Sequence, residues 1–575
     1  MRLILATAAF LALASASSAL AATSLPTEAT PASVQARPLR PLKAARTWPR
    51  VEWHGYLRFR PDWISNGHLS QAALSERSDV PVLTTSAIQP PLSSWPQNNG
   101  QSNGFSSQVG SSRDEDGVTM ATMRLRLRPT VHLMKGLSAT VTADLFDNYV
   151  FGSQGEFGGD RFDVPLSAFA NTARSTPLSI KEAFLRWSSE LLDVKVGRQG
   201  AHWGLGIFQH AGLGTAWDDG RPLLYYGEPL NPGAGSGYDL DAGDFLDRAQ
   251  VELHLGSFDL RLFGDYQTVG LRWDEPGRID SLQWDSSAGG AVIQTGLALG
   301  QWVSGPKEVA ERMTRLGGLG GVAFDWGLMG LYRTQQLDAG GDSSATVLDG
   351  WFRLERRVTA AQRFILEAEA VYLRGEVGSQ QTVSSWGAAL KGAFQFDNMG
   401  VYLDTGVASG DDTRCFGVVG RNGCGLKDVN GDLNTEVTGY RFHRNFRVDS
   451  LLFRDVIGAV SNAWYVKPSF AINAFPFTAP GDLLGADLSV LVAGAMEAEG
   501  TPGNGTTLGT EFALRAYVGY AGLFRTTVSF SYLIAGDAFD LIGPADEIRG
   551  KWLGSTESVT AENAWRLMIR SAMTF

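Results

Sequence analysis

From Val51 to the C-terminal Phe575 the hydrophobic pattern repeats every second residue, and this constrains the fold more than any other property of the chain. In the first such segment Val51, Trp53, Gly55, Leu57 and Phe59 share one face, and Glu52, His54, Tyr56, Arg58 and Arg60 share the other. Met123, Leu125, Leu127, Val131 and Leu133 alternate in the same way with Arg124, Arg126, Arg128, Thr130 and His132. The pattern returns at 248–256, 258–268, 512–520 and 524–534. Successive strand side chains point to opposite faces, so each segment has one apolar and one polar face. A soluble sandwich shows such alternation too, and the spacing of the segments is what separates the two folds.

Short connections are expected around Lys135-Gly136, residues 188–191, Gly256-Ser257, Gly327, residues 359–362, Asp397-Asn398 and Ala521-Gly522, with a somewhat longer one near 476–482. Between them lie longer polar segments at 63–117, 148–177, 201–245, 269–316, 408–462 and 536–562, and shorter ones near 338–347, 375–383 and 499–507. Short periplasmic turns at one end and long extracellular loops at the other mark a transmembrane antiparallel β-barrel. The segments amount to about 18 strands (16–18), each near the ~9–11 residues that cross a membrane at a tilt. In the last strand Trp565, Leu567, Ile569, Met573 and Phe575 face one way, and Arg566, Met568, Arg570 and Thr574 the other. A C-terminal strand ending in an aromatic residue resembles the signal read by barrel-assembly machinery, which makes that machinery an expected partner. Trp53, Trp187, Trp351, Trp386, Trp464, Trp565, Tyr372 and Tyr520 stand near strand ends and suit interfacial girdles against outer-membrane lipids.

No stretch beyond the N-terminus offers the ~18 uninterrupted apolar residues of a transmembrane helix. Residues 1–21 read as a signal peptide, with Arg2 before an apolar run over 3–13 and a small-x-small cleavage site at Ala19-Leu20-Ala21. Residues 22–50 form a periplasmic linker punctuated by Pro26, Pro31, Pro38, Pro41 and Pro49, too polar and too short to be a folded plug. The barrel therefore spans 51–575 and is placed in the cell outer membrane. A net charge of −11 argues against nucleic acid as a partner. Two Cys and seven His exclude a disulfide-dense scaffold and a Cys-based zinc array.

Two patches resemble Gram-negative porins, and more narrowly outer-membrane families of the alginate-export and substrate-selective kind. One runs Lys181-Glu182-Ala183-Phe184-Leu185, Val196-Gly197-Arg198-Gln199 and Trp203-Gly204-Leu205-Gly206. The other runs Tyr402-Leu403-Asp404, Ser409-Gly410-Asp411-Asp412 and then 442–453. The resemblance implies a barrel across 51–575 and carries no substrate with it.

Barrels of 16–18 strands enclose an aqueous lumen, so the expected function is a channel for passive diffusion or export of small polar, anionic solutes, oligosaccharides included. A surface-binding or adhesin barrel is the alternative that the large loops leave open, and an outer-membrane enzyme is the weaker one. No G-x-S-x-G, H-E-x-x-H or P-loop pattern stands out, and no cofactor is called for. His54, His132 and His254 fall on the inward parity among Arg and Glu, where a lumen role explains them. The third outer loop, 201–245, is expected to fold inward, with Asp218, Asp219, Arg221 and Glu228 as constriction candidates.

Two expectations fall in the 408–462 loop. Cys415 and Cys424 should pair as a disulfide, since disulfides persist in an oxidising compartment. Asp428, Asn430, Asp432, Asn434 and Glu436 recur at every second position and supply the oxygen ligands that calcium needs. An Asx-rich turn accounts for the same residues without metal.

The chain holds 40 Arg and nine Lys, many of the Arg on the inward parity. Arg58, Arg60, Arg124, Arg126, Arg128, Arg248, Arg261, Arg515, Arg525, Arg566 and Arg570 are read as pore-lining. Because the last strand closes on the first, Arg58, Arg60, Arg124, Arg126, Arg128, Arg566 and Arg570 form one wall. Guanidinium groups stay charged and grip carboxylate or phosphate in a fork. Against this, Glu52, Glu252, Glu355, Glu367, Glu369 and Glu511 share the inward parity and offer the Arg partners.

Overall fold

The computed structural model of the protein describes residues 48–66, 69, 117–150, 178–211, 244–267, 292–302, 312, 314–317, 320–335, 343–359, 362–377, 381–396, 398–412, 435–443, 445–473, 483–501, 503–520, 523–540 and 560–575. The expected signal peptide, 1–21, and nearly all of the expected linker, 22–50, lie outside these residues.

Eighteen antiparallel strands close into a ring. They are β1 (Arg50–Ser65), β2 (Gly117–Met134), β3 (Leu137–Val150), β4 (Leu178–Ser188), β5 (Leu192–Gly200), β6 (Phe245–Leu255), β7 (Phe258–Gln267), β8 (Val292–Gln301), β9 (Val322–Gln335), β10 (Ser343–Arg357), β11 (Gln362–Val377), β12 (Gln381–Phe396), β13 (Met399–Ala408), β15 (Ala463–Asn473), β16 (Leu483–Ala495), β17 (Thr507–Tyr520), β18 (Phe524–Ala535) and β19 (Ala564–Thr574). A two-residue segment, β14 (Glu436–Val437), pairs parallel with β12 outside the count. Strand lengths run from 9 residues in β5 to 18 in β2.

Closure is made by the last strand on the first. Tyr56 opposes Thr574 and Ser65 opposes Trp565 across β1 and β19. The backbone of Phe575 completes the seam by exchanging hydrogen bonds with Gly55 at 2.9 and 3.1 Å. With no open edge, every strand has a neighbour on both sides, the condition for strands to cross a bilayer.

Burial follows the period of two. Leu328, Leu348, Leu488 and Leu514 are each more than half exposed on the outer face. Trp53, Trp187 and Tyr520 stand on that face near the short turns, and Tyr372, Trp386, Trp464 and Trp565 near the loop end. An apolar outer band bounded by aromatic girdles is the surface of an outer-membrane barrel. The protein is placed in the Gram-negative outer membrane accordingly.

Three details differ from the sequence expectation. Gly327 is not a turn: it lies inside β9, and a Cβ there would sit 2.7 Å from Cη2 of Trp203. The glycine is a notch for an indole. The 269–316 loop contains β8, whose pattern is hidden because small Gly296 and Ala298 take the inner positions between Gln294 and the hairpin end. The connection at the turn end is instead 302–321. Trp351 belongs to no girdle, since it points inward and meets the Trp203 ring at 6.2 Å in a T-shaped contact.

Candidate functional site

The interior is built from two contrasting surfaces. The first is a wall of strands β19, β1, β2 and β3. Its inner positions include Arg58, Arg60, Arg124, Arg126, Arg566 and Arg570, all buried, together with buried Asp62 and Asp144. Register explains the pairing. Arg126 is directly opposite Asp144 and grips it with a two-point fork of 2.5 and 2.7 Å. Arg124 approaches the same carboxylate at 3.6 Å. Arg566 forks onto Asp62, one diagonal away, and its third nitrogen donates to the Ser450 carbonyl at 2.7 Å. Arg128 reaches Glu182 at 3.4 Å.

The same arrangement recurs around the ring. Arg248 opposes Asp265 at 2.6 Å, Arg261 opposes Glu252 at 2.8 Å, and Arg515 opposes Asp487 at 2.8 Å. Glu355 and Glu367 pair with Arg353, Glu355 also with Arg363, and Glu52 with Arg50 and His132. Among the described residues, one group has metal-ligand proximity, Glu252, His254 and Asp259 at the β6–β7 hairpin. His254 is already bonded to Asp259 at 2.7 Å and Glu252 to Arg261 and Trp302.

The second surface is a pair of segments folded into the barrel. Residues 201–211, following β5, cross to the far wall of β9–β11. Trp203 donates its indole N–H to Asp349 at 3.2 Å, and the Gly206 and Ile207 amides donate to Glu369 at 2.8 and 3.4 Å. Gly206 has φ +85°, which turns its N–H toward the carboxylate at no steric cost. The described part of the third loop thus folds inward. Asp218, Asp219, Arg221 and Glu228 lie outside the described residues.

The other segment, 438–462, precedes β15 and is apolar at its centre: Phe442, Leu451, Leu452, Phe453 and Val460 are nearly inaccessible. Glu511 of β17 accepts from the amides of Ser450, Leu451 and Leu452 at 3.0–3.1 Å, where a single π-helical turn begins (Leu452–Val456). The two segments meet where His443 N–H donates to the Ile207 carbonyl at 2.7 Å and the Tyr440 hydroxyl donates to it at 3.3 Å. At this seam the His202 and His210 rings lie 4.8 Å apart, and His210 stacks on His443 at 5.7 Å. Asp244 accepts from the His210 amide and bonds His443 Nε2 at 3.2 Å. The Asn445 amide donates to His443 Nδ1, so the ring proton sits on Nε2. Burial holds the His202 imidazole down at about 4 and pushes that of His210 well below its ordinary range, so both are neutral.

The inward parity of Glu369 and Glu511 suggests partners for Arg. They are instead clasps for backbone N–H groups. Asp349, Trp203 and the histidine seam carried no sequence signal as a site, although Trp203 and the 442–453 stretch lay in the two patches that prompted the porin resemblance. Glu436 is exposed at the start of β14, while Asp428, Asn430, Asp432, Asn434, Cys415 and Cys424 lie outside the described residues.

No protein-family model matches the chain, and no curated protein matches its sequence. Solved structures to which it is similar include OccAB3 of Acinetobacter baumannii, at 11% identity and TM-score 0.44, covering 91% of this chain and 100% of that one. OccK11 (OpdR) of Pseudomonas aeruginosa is similar at 10% identity and TM-score 0.41, covering 91% and 96%. OpdK of Pseudomonas aeruginosa, crystallised with vanillate, is similar at 9% identity and TM-score 0.40, covering 91% and 99%.

Proposed function

We propose that the protein is an outer-membrane channel for passive diffusion of small polar solutes, with a preference for anions. One observation carries this reading. Among the described residues on the inner face of β19, β1, β2 and β3, six buried arginines accompany two buried aspartates, an excess of positive charge. Selectivity follows the charge along the narrow path rather than the net charge of the chain. The clasped segments 201–211 and 438–462 supply the narrowing, and the wall beside them supplies the sign.

A passive path has no direction of its own, so the same pore serves uptake or export according to the gradient. Carboxylated or phosphorylated sugars are the solutes whose groups match the guanidinium fork. The apolar band calls for outer-membrane lipids, and the aromatic C-terminal strand for assembly machinery, as partners. Planar-bilayer recording under a salt gradient tests the reading. Discrete conductance steps with an anion-selective reversal potential are expected; silent membranes, or cation selectivity unchanged in an Arg124→Ala, Arg126→Ala variant, overturn it.

A further inference from the structure

The inner face of β18 presents Arg525, Thr527, Ser529 and Ser531 in succession, all buried. Arg525 is 3% exposed, and its Nε, Nη1 and Nη2 are all buried with no hydrogen-bond partner. Among the described residues, no other arginine has all three guanidinium nitrogens in that condition. The Tyr517 ring covers one face of the guanidinium, with its centroid 4.8 Å from the central carbon. A ring face attracts the charge but accepts none of the in-plane N–H bonds. Two residues further on the same face, the Thr527 hydroxyl is also buried without a partner.

Among the described residues, none supplies an acid to Arg525. Directly across from Arg525 are Gly519 on β17 and Ala572 on β19, which recess the wall on both sides. Beyond Ala572 comes Arg58, and opposite Thr527 stands Arg570. Asp487, two strands away, is held by Arg515 through both oxygens. A guanidinium cannot shed its proton, and leaving a buried charge uncompensated is strongly unfavourable. Such a group is balanced by an anion with in-plane oxygens.

We propose that Arg525, Thr527 and Tyr517 form a binding site for one oxyanion, a carboxylate or phosphate, seated in the recess over Ala572. Two oxygens take the edge of the guanidinium, and the Thr527 hydroxyl donates to one of them. Arg58 and Arg570 add positive potential from the flanks. The site faces the interior, away from lipid headgroups, so its ligand is a free anion. It is a fixed binding position that does not depend on whether the barrel conducts.

The test is calorimetric titration of the refolded full chain in phosphate-free buffer with inorganic phosphate and, separately, acetate. The wild type is expected to bind one equivalent. Arg525→Ala should weaken binding at least tenfold, and Arg525→Lys less, because a point charge replaces the fork. Heat-modifiable mobility reports whether each variant has closed its barrel. Should Arg525→Ala not fold, Thr527→Val serves instead, with an expected several-fold loss. Equal affinity in these folded variants, or no binding of either anion to the wild type at millimolar concentration, overturns the site. Because conductance is not read, failure here and failure of the channel reading are separate results.

Discussion

The arginine wall of β19–β3 and the clasp on β9–β11 are two halves of one interior that use carboxylates in opposite ways. On the wall, Asp62 and Asp144 meet side-chain cations that the strand register sets opposite or diagonal to them. On the clasp, Glu369 meets no cation and takes the amides of Gly206 and Ile207 from a segment more than 160 residues away in sequence. Glu511 repeats the clasp for the second segment. A cross-strand ion pair stiffens the barrel that already exists, whereas a carboxylate that holds backbone N–H groups decides how much of the lumen is filled. Arg566 touches both, through Ser450, but Arg124 and Arg126 meet Asp144 on the wall, so charge there and width at the clasp are each open to their own perturbation.

The largest effect is expected from Glu369→Ala. It removes the acceptor of two buried amides, each costing about 1–3 kcal/mol when left unpaired, and the 201–211 segment should leave the lumen. Single-channel conductance is expected to rise several-fold while the barrel stays folded by circular dichroism. Unchanged conductance would place the width elsewhere.

Gly327→Ala follows. Its methyl takes the space of Trp203 Cη2, only 2.7 Å away, and tilts the same segment out. A smaller rise in conductance is expected, and Trp203→Leu should make the added methyl neutral. Double-mutant recording reads the coupling between residues in contact; simple additivity would mean that the notch plays no part.

Acidification is the third perturbation. His202 and His210 are neutral where they dock, with pKa values below the ordinary imidazole value near 6.5. In a freed segment both imidazoles take up protons near 6.5; in the docked one His202 does so only at about 4 and His210 is held well below its ordinary value, so docking is fully stable above 6.5 and weakens as pH falls below it. Lys391 and Arg447 already oppose a charge on His210, while Asp244 favours one on His202. Open probability should rise between pH 6.5 and 4, and His210→Gln should flatten the profile; a flat wild-type profile contradicts the seam.

The smallest conductance change is expected at the wall. Arg124→Ala with Arg126→Ala leaves the width alone and should move the reversal potential toward cations by a few millivolts. It should also lower barrel stability, because Asp144 is left buried without its fork. A multiple rise in conductance from this pair would mean that wall and clasp are not separable.

The wall was legible in the sequence and the clasp was not, for a physical reason. Period-two alternation states which side chains share a face, so Arg58, Arg124 and Arg566 could be placed together once the ends were joined. Nothing local in a loop says that it turns inward. Gly327 looked like punctuation because a glycine between Trp326 and Leu328 resembles a turn, yet it answers to Trp203, 124 positions earlier. Small inner residues hid β8 for the same kind of reason, since Gly296 and Ala298 make room rather than contrast. The one trace of the second segment was the 442–453 patch, noted for its resemblance and not for its apolar centre.

The central claim is that the clasp carboxylates Glu369 and Glu511 hold two segments inside the charged barrel. It is tested most directly by recording wild type and the Glu369→Ala, Glu511→Ala variant in planar bilayers under one potassium chloride gradient. The account predicts a small-conductance, anion-selective wild type and a variant with several-fold larger steps and weaker selectivity. Steps of equal size and equal selectivity in both proteins would contradict it.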